Sequence, residues 1–347
     1  DLTGDWSSDV CSSDLMKKLI NNPDSVVEEM LEGMVMAHPS YVRKLENSDV
    51  IVRKASPIHG KVALVSGGGS GHEPAHAGYV GKGMLNAAVL GPVFTSPAPD
   101  PIYEAIKAVN GGPGVLLVVK NYTGDVMNFE MASEMAQMDG INVASVVVND
   151  DVAVENSLFT AGRRGVAGTV FVHKIAGAKA ETGASLEEVK IVAQKVAYNV
   201  RSMGIALTPC TVPALGKPNF TLGEDEIEIG IGIHGEPGTH RQTIKPVDEL
   251  VDHMVGKILT DMPLAKGTEV AVMVNGLAST PLMELYIVNR KVHKILEEKG
   301  IKIYKTFVGE FMTSLEMTGC SVTLLKLDDE LKALLDAPAD TPALKVL

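Results

Sequence analysis

The chain has 347 residues, of which 45% are hydrophobic and 21% are charged, so it has enough apolar material for a globular core. Its formal net charge of −12 argues against nucleic acid or an anionic membrane as a partner, because both bind basic patches. No apolar run approaches the roughly 18 residues of a membrane span. The three cysteines are widely spaced and form neither a disulfide framework nor a CxxC metal pattern, so we expect a cytoplasmic protein.

The first fifteen residues differ from the rest of the sequence. They read DLTGDWSSDVCSSDL, with four Asp and no Lys or Arg, and they resemble a translated sequencing-adapter read-through. Met16 then opens Met-Lys-Lys-Leu-Ile, which looks like a natural start. We therefore predict that residues 1–15 are a leader that is either non-native or a disordered natural tail, and that the fold begins at Met16.

From residue 16 onwards, short β-rich runs alternate with helical patterns, which is typical of α/β architecture. Apolar periodicity predicts strands at residues 61–66, 114–120 and 141–149, and helices at residues 101–109, 127–138, 165–181 and 185–203. The last helix opens with Ser185 and Glu188, the pattern of a capping box. We expect residues 16–200 to form an N-terminal α/β domain with a glycine-rich loop.

The second half resumes with a strand at residues 204–207 and a loop rich in Pro and Gly. The run EIEIGIGIH alternates with period two, which predicts one half-buried strand over residues 226–234. Helices are predicted at residues 246–262 and 281–299, and strands at 302–307 and 321–327. We therefore predict a second α/β domain over residues 201–347, so that the fold class is two α/β domains, each a mainly parallel or mixed sheet with flanking helices.

The segment SGGGSGHEP at residues 66–74 is the densest candidate for a site. Consecutive glycines let the backbone approach a ligand and point N–H groups at it. The run is not a dinucleotide fingerprint, because His72 stands where a third glycine would be, and it is not a P-loop, because no Gly-Lys-Ser/Thr follows. The alternative is a tight structural turn. His72 favours a functional reading, since a histidine at a strand end is a plausible base.

Two further segments carry groups suited to chemistry. Lys120 ends a predicted strand and can donate to a hydroxyl or phosphate, and Asp125 can accept a proton, although the same residues would suit a surface turn. His234 ends the alternating run on the same face as Gly230 and Gly232, which leave open space above its imidazole, although a single histidine is more commonly structural. His76 follows His72 by four residues but has no carboxylate or Cys partner at metal-ligand spacing, so we predict no metal site.

Six motifs occur in register along the chain: SGGGSGHEP at 66–74, VFTSP at 93–97, VKNYTGD at 119–125, TAGRRG at 160–165, CTVPALGKP at 210–218 and GIGIHGEPG at 230–238. Together they resemble the K-type dihydroxyacetone kinase family, over nearly the whole chain.

The resemblance implies a role for each matching residue. His234 would bind the ketone covalently as a hemiaminal, and His72 and Asp125 would be the acid/base groups at the reacting hydroxyl. The remaining matches would line the substrate: Gly69, Ser70, Gly71 and Lys120, with Phe94 and Ser96 nearby.

The resemblance also implies partners. Family members that use ATP carry a second, helical nucleotide domain in the same chain, and this sequence ends at Leu347 without one. We therefore expect the type that depends on the phosphotransferase system, which makes dihydroxyacetone phosphate. There a separate L-type subunit holds ADP and Mg²⁺ and is recharged by a phosphoenolpyruvate-dependent M-type phosphohistidine protein. The chain itself would hold no cofactor and would form a homodimer.

Two alternatives remain at this stage. The family contains K-like coactivators that bind dihydroxyacetone and control a transcription regulator, and such a sensor could keep the covalent histidine. The third hypothesis is a nucleotide-dependent oxidoreductase built on the glycine loop, against which the missing third glycine argues.

Overall fold

The computed structural model of the protein describes residues 17–347, so the predicted leader at residues 1–15 lies outside the described residues. The described chain forms two six-stranded sheets with flanking helices. Each sheet contains both parallel and antiparallel pairs, which confirms the predicted α/β fold class.

The first sheet is parallel through its centre and antiparallel at one side. Its strand order is β1-β2-β4-β3-β5-β6, and β4, β3, β5 and β6 run parallel to one another. The parallel strands β3, β4 and β5 therefore end at the same edge of the sheet. The six strands are β1 (Val42–Lys44), β2 (Val50–Arg53), β3 (Ala63–Ser70), β4 (Ala87–Val93), β5 (Val115–Lys120) and β6 (Val143–Val148).

The second sheet is mostly antiparallel, and two minor two-stranded sheets accompany it. Its order is β11-β10-β7-β14-β12-β13, with β12 and β13 parallel. The strands of this half are β7 (Val200–Ala206), β8 (Thr211–Val212), β9 (Lys217–Pro218), β10 (Glu226–Ile229), β11 (His240–Thr243), β12 (Glu269–Gly276), β13 (Lys302–Gly309), β14 (Gly319–Leu327), β15 (Ala339–Asp340) and β16 (Lys345–Val346).

The α-helices pack in layers on both sheets. They are α1 (Val26–Ala37), α2 (Pro99–Val109), α3 (Thr123–Met138), α4 (Thr169–Glu181), α5 (Leu186–Asn199), α6 (Val247–Asp261), α7 (Leu282–Glu298) and α8 (Asp329–Asp336). Side chains alternate across the first sheet: Leu116 joins a core cluster with α4 and α5, whereas Leu117 joins a cluster with α2 and α3. In the second sheet Met273 contributes to the cluster with α4 and α5, and Val272 to the one with α6 and α7.

Helix α4 lies at the centre of the molecule. Its residues from Thr169 to Ala178 are all buried, as expected of a helix that has protein on every side. The sheets are thus distinct but share a buried cluster through α4 and α5, and the predicted domain boundary after residue 200 remains a prediction. Among residues 17–347, no helix is both long enough and apolar enough to cross a membrane.

Several predicted boundaries differ from the structure, and strand pairing or backbone geometry explains three of them. Helix α5 has the predicted capping box but ends at Asn199 instead of residue 203, because residues 200–206 pair with β14. Strand β3 continues through the glycines to Ser70, because they pair with β4. The predicted strand over residues 226–234 was wrong beyond Ile229, because Gly230 turns the chain with a φ of 78°.

Candidate active site

The candidate site lies where the carboxyl edge of the first sheet meets a turn of the second. His72 follows β3, Phe94 follows β4 and Lys120 ends β5, while His234 lies in the turn of residues 230–238 after β10. The ring centroids of His72 and His234 are 4.8 Å apart, and Phe94 lies 5.1 Å from each of them. The location fits the rule that open α/β sheets bind ligands at the carboxyl ends of their strands.

His72 is fully buried and neutral, with one ring nitrogen available. Its Nδ1 lies 2.8 Å from the Thr313 carbonyl oxygen, which can only accept, so Nδ1 carries the proton and donates. Its Nε2 therefore holds a lone pair, and that nitrogen has no hydrogen-bond partner among residues 17–347. Burial, together with the charge of Lys120, lowers the pKa of His72 well below the usual value. His72 is thus neutral in the folded protein, with the lone pair of Nε2 available to a hydrogen-bond donor.

Lys120 and Asp125 form a second buried group around Gly68. A Cβ placed on Gly68 would lie 3.2 Å from Lys120 Nζ and 3.5 Å from Asp125 Oδ2. Neither Lys120 Nζ nor Asp125 Oδ1 has a hydrogen-bond partner within the described protein. Burial raises the pKa of Asp125, opposed by Lys120, and burial lowers the pKa of Lys120, opposed by Asp125. Buried polar groups without partners mark a place where a polar ligand would complete the hydrogen bonding.

His234 is oriented by the carboxylate two residues beyond it. Its Nδ1 lies 2.7 Å from Glu236 Oε1, and its backbone N–H also donates to that carboxylate. Burial would raise the pKa of Glu236, but His234 and Arg164 lower it to about 2, so the carboxylate stays ionised. A carboxylate can only accept, so Nδ1 carries a proton and donates to Glu236; in the neutral imidazole this leaves the lone pair on Nε2. The His234 side chain is 14% exposed, so a ligand can reach it.

The glycines and small residues predicted to line the substrate allow close approach of the backbone. A Cβ on Gly69 would lie 2.5 Å from Thr95 N, and Gly71 has a φ of 101° with the Phe94 ring 2.8 Å from where its Cβ would be. The Ser70 hydroxyl donates to the Gly91 carbonyl at 2.7 Å and so links β3 to β4, and its role in lining the substrate stays a prediction.

Ser96 lies against the amino end of α3. A Cβ on Gly124 would lie 2.8 Å from Ser96 Oγ, and Ser96 is close enough to Asp125 to lower its pKa. The structure thus brings the predicted site residues together where the carboxyl edge of the first sheet meets the turn of residues 230–238.

Sequence reasoning missed Tyr122 as a site residue. Its ring stands edge-on to His234 with centroids 4.8 Å apart, and its buried hydroxyl has no hydrogen-bond partner in the described protein. With Phe94 and His72 it completes an aromatic wall around the imidazole. Its position inside the motif that supplies Lys120 and Asp125 was the only signal available in the sequence.

An open cleft of about 1280 Å³ leads to His234 and Phe94. Its far walls come from residues 23–28 and 44–49 and from the loop at 212–219. The volume greatly exceeds that of a triose, so much of the cleft is available to a larger group. Within residues 17–347, no group of three or more His, Cys, Asp or Glu side chains is arranged to hold a metal ion.

Comparison with known proteins agrees with this geometry. The family model of the Dak1 domain matches residues 32–343. The chain belongs to the Dak1 domain family. It is 58% identical to the dihydroxyacetone-binding subunit DhaK of a PTS-dependent dihydroxyacetone kinase of Listeria innocua, over 94% of this chain and 100% of the relative. It is 48% identical to the corresponding subunit of the PEP-dependent kinase of Escherichia coli, over 95% and 99% of the two chains.

The chain is also similar to solved structures of dihydroxyacetone kinase proteins. The dihydroxyacetone kinase of C. freundii matches with a TM-score of 0.85 and 36% identity, over 95% of this chain and 60% of that longer chain. A dihydroxyacetone kinase operon co-activator matches equally well, with a TM-score of 0.85 and 38% identity over 91% and 97% of the two chains. The predicted family and its kinase class are confirmed by these matches.

Proposed function

We propose that this protein is the dihydroxyacetone-binding subunit of a dihydroxyacetone kinase that depends on the phosphotransferase system. The observation that carries the proposal is the pair of facing imidazoles, His72 and His234, each with Nδ1 held by a buried acceptor and Nε2 free. One free nitrogen serves as a nucleophile and the other as a base. Relatives of high identity over their full length, named as such subunits, support the substrate assignment.

The first step is covalent capture of the ketone by His234. The Nε2 lone pair adds to the carbonyl carbon, a C–N bond forms, the C=O π bond breaks, and the carbonyl oxygen takes up one proton from solvent in the open cleft. Glu236 balances the positive charge that develops on the ring by accepting the Nδ1 hydrogen bond. Capture holds a small, well-hydrated substrate that offers few atoms for binding, and it rejects glycerol, which has no carbonyl.

In the second step the terminal hydroxyl attacks phosphorus and loses its proton to a base. A new P–O bond forms as the bond from phosphorus to the donor breaks, and the donor keeps the leaving group. Asp125 and His72 are the two bases, and both are buried beside Lys120. The buried Nζ of Lys120 has no hydrogen-bond partner among the described residues, so it would donate to a substrate hydroxyl or to the incoming phosphoryl group. A base placed at the reacting hydroxyl supplies a rate factor of about 10²–10⁴.

We assign the phosphoryl donor to a partner. The sequence contains no Gly-Lys-Ser/Thr phosphate loop, and the cleft beyond Phe94 has room for a group brought from outside. An L-type subunit holding ADP and Mg²⁺, recharged by an M-type phosphohistidine protein, would supply it, and the K-type chain would act as a homodimer. Phosphoryl transfer needs such a metal-bound donor to neutralise the developing charge.

The reconstituted reaction tests the proposal. The chain is mixed with dihydroxyacetone, phosphoenolpyruvate, the general phosphotransferase proteins, and L- and M-type subunits, and formation of dihydroxyacetone phosphate is measured. We expect product only when all components are present, and none from the chain with ATP alone. Product from ATP and this chain alone would contradict the division of labour.

A second candidate function is favoured by one observation. The match to the dihydroxyacetone kinase operon co-activator is as good structurally as the match to the kinase. A coactivator would bind dihydroxyacetone through His234 and regulate a transcription factor without turnover. Normal binding of dihydroxyacetone with no product in the complete reconstituted mixture would favour this function over the kinase subunit.

A further inference from the structure

Arg164 is a buried arginine to which the mechanism above assigns no role. Its side chain is 0% exposed, and its buried counterion is Asp151, which accepts from Arg164 Nε at 2.8 Å. Asp151 is itself fixed, because its other oxygen accepts the N–H of Ala153 at 2.9 Å. The charge of Arg164 is therefore satisfied by Asp151, and its remaining N–H groups are free for other contacts.

Those N–H groups bind backbone carbonyls on both sides of His234. Arg164 Nη2 donates to the Gly230 carbonyl at 2.7 Å, four residues before His234. Arg164 Nη1 lies 3.4 Å from the carbonyl oxygen of Pro237, three residues after it. One rigid guanidinium thus holds the beginning and the end of the turn of residues 230–238.

The same guanidinium approaches the carboxylate that orients His234. A Cβ built on Gly232 would lie 2.0 Å from Glu236 Oε2 and 2.7 Å from Arg164 Nη1, so the two groups face each other across that glycine. Arg164 also contributes to lowering the pKa of Glu236. Its position therefore affects both the backbone and the charge that define the His234 tautomer.

We propose that Arg164, held by Asp151, is a positioning residue that fixes the turn carrying His234 and sets the direction of its free Nε2. Lysine would not replace it, because one ammonium cannot reproduce the planar fork that contacts Asp151 and both carbonyls. The role of His234 in capture rests on the proposed function, but the placement of its imidazole does not.

The neighbouring arginine offers a matched control. Arg163 also forms an ion pair, with Asp261, but its side chain is 29% exposed and it makes no hydrogen bond to the turn of residues 230–238. The variants Arg164→Lys and Arg163→Lys therefore replace neighbouring arginines in the same way. Only Arg164→Lys removes a guanidinium that contacts the turn carrying His234.

The test is imidazole ¹⁵N NMR of His234 in the ligand-free protein, followed by titration with dihydroxyacetone. We expect the parent and Arg163→Lys to show the tautomer protonated at Nδ1. Arg164→Lys should show a mixture with the Nε2-protonated tautomer, and its Kd for dihydroxyacetone should rise about tenfold or more. An unchanged tautomer and Kd in folded Arg164→Lys would overturn the proposal.

A second variant covers the case in which Arg164→Lys does not fold. Arg164→Met combined with Asp151→Asn removes the buried ion pair as a unit, so that neither of these two partners is left as an uncompensated charge. It should show the same mixed tautomer, and a parent-like tautomer would overturn the proposal. If the parent bound no dihydroxyacetone at all, the proposed function would fail, while the ligand-free spectra would still decide the role of Arg164.

Discussion

At the scale of single residues, the chemistry depends on which nitrogen of each histidine carries the proton. The carbonyl of Thr313 and the carboxylate of Glu236 are both acceptors, so they place the protons of His72 and His234 on Nδ1. The first acceptor is neutral and lies against a fully buried ring, whereas the second is charged and holds a ring at the mouth of the cleft. The two imidazoles are therefore suited to different tasks, a base and a nucleophile.

Replacing the proposed bases should reduce turnover more than substrate binding. Asp125→Asn keeps the shape of the side chain but removes the proton acceptor, so kcat should fall about 10²–10⁴-fold while KM changes much less. His72→Ala should behave similarly. The matched control is Asp139→Asn at the exposed carboxyl end of the same helix, which should keep parent-like kinetics. Normal kcat in both active-site variants would refute the acid/base assignment.

At the scale of elements, the site depends on glycines at the end of a strand and in a turn, where a side chain would not fit. Strand β3 brings Gly67–Ser70 against β4, and Gly67 has the Val89 carbonyl oxygen 2.4 Å from where a Cβ would lie. The turn after β10 also depends on a glycine. The Glu236 carboxylate occupies the space that a side chain at Gly232 would need. Glycine at these places lets functional groups approach one another.

The effect of Gly232 can be measured directly. Gly232→Ala would push Glu236 away from His234, so the affinity for dihydroxyacetone should fall about 10²-fold. Gly256 in α6 is exposed and has nothing within 4 Å of its Cβ position. Gly256→Ala should therefore keep the affinity and raise the free energy of unfolding by about 0.5–1 kcal/mol. Equal affinities in the two variants would show that the turn tolerates a side chain.

The sequence predicted most helices and strands, but not where each one ends or which distant residues contact each other. Apolar runs such as residues 114–120 were reliable because a parallel central strand is buried on both faces. The alternation in residues 226–234 continued past the strand end, since periodicity does not reveal that Gly230 leaves the sheet. Motif residues such as Lys120 and Asp125 were found, whereas Thr313 and Arg164 were missed as partners because their contacts join distant parts of the chain.

At the scale of the whole molecule, the two sheets share a buried interior that contains neutral histidines. His76 Nδ1 and His173 Nε2 lie 3.0 Å apart, and both side chains are fully buried. Burial lowers the pKa of His173 to about 3 and that of His76 well below its usual value. In mildly acidic solution the unfolded chain would therefore bind protons at His76 and His173, and the folded protein would not.

This difference in proton binding makes stability depend on pH in a defined direction. Below pH 6.5 the unfolded chain protonates His173 and the folded protein does not, so His173 lowers the free energy of unfolding as the pH falls toward about 3. Relative to His173→Gln, the parent should lose about 1.5 kcal/mol between about pH 6.5 and about pH 5. Urea denaturation at several pH values measures this difference, and a difference that does not change with pH would contradict it.

The central claim is that His234 captures dihydroxyacetone covalently. It rests on the free Nε2 beside Phe94, Tyr122 and the cleft. The most direct measurement is a crystal structure of the protein soaked with dihydroxyacetone. We expect continuous electron density from His234 Nε2 to a tetrahedral C2 of the ligand, with Glu236 still on Nδ1. A planar ketone in non-covalent contact with the imidazole, at full occupancy, would contradict the account.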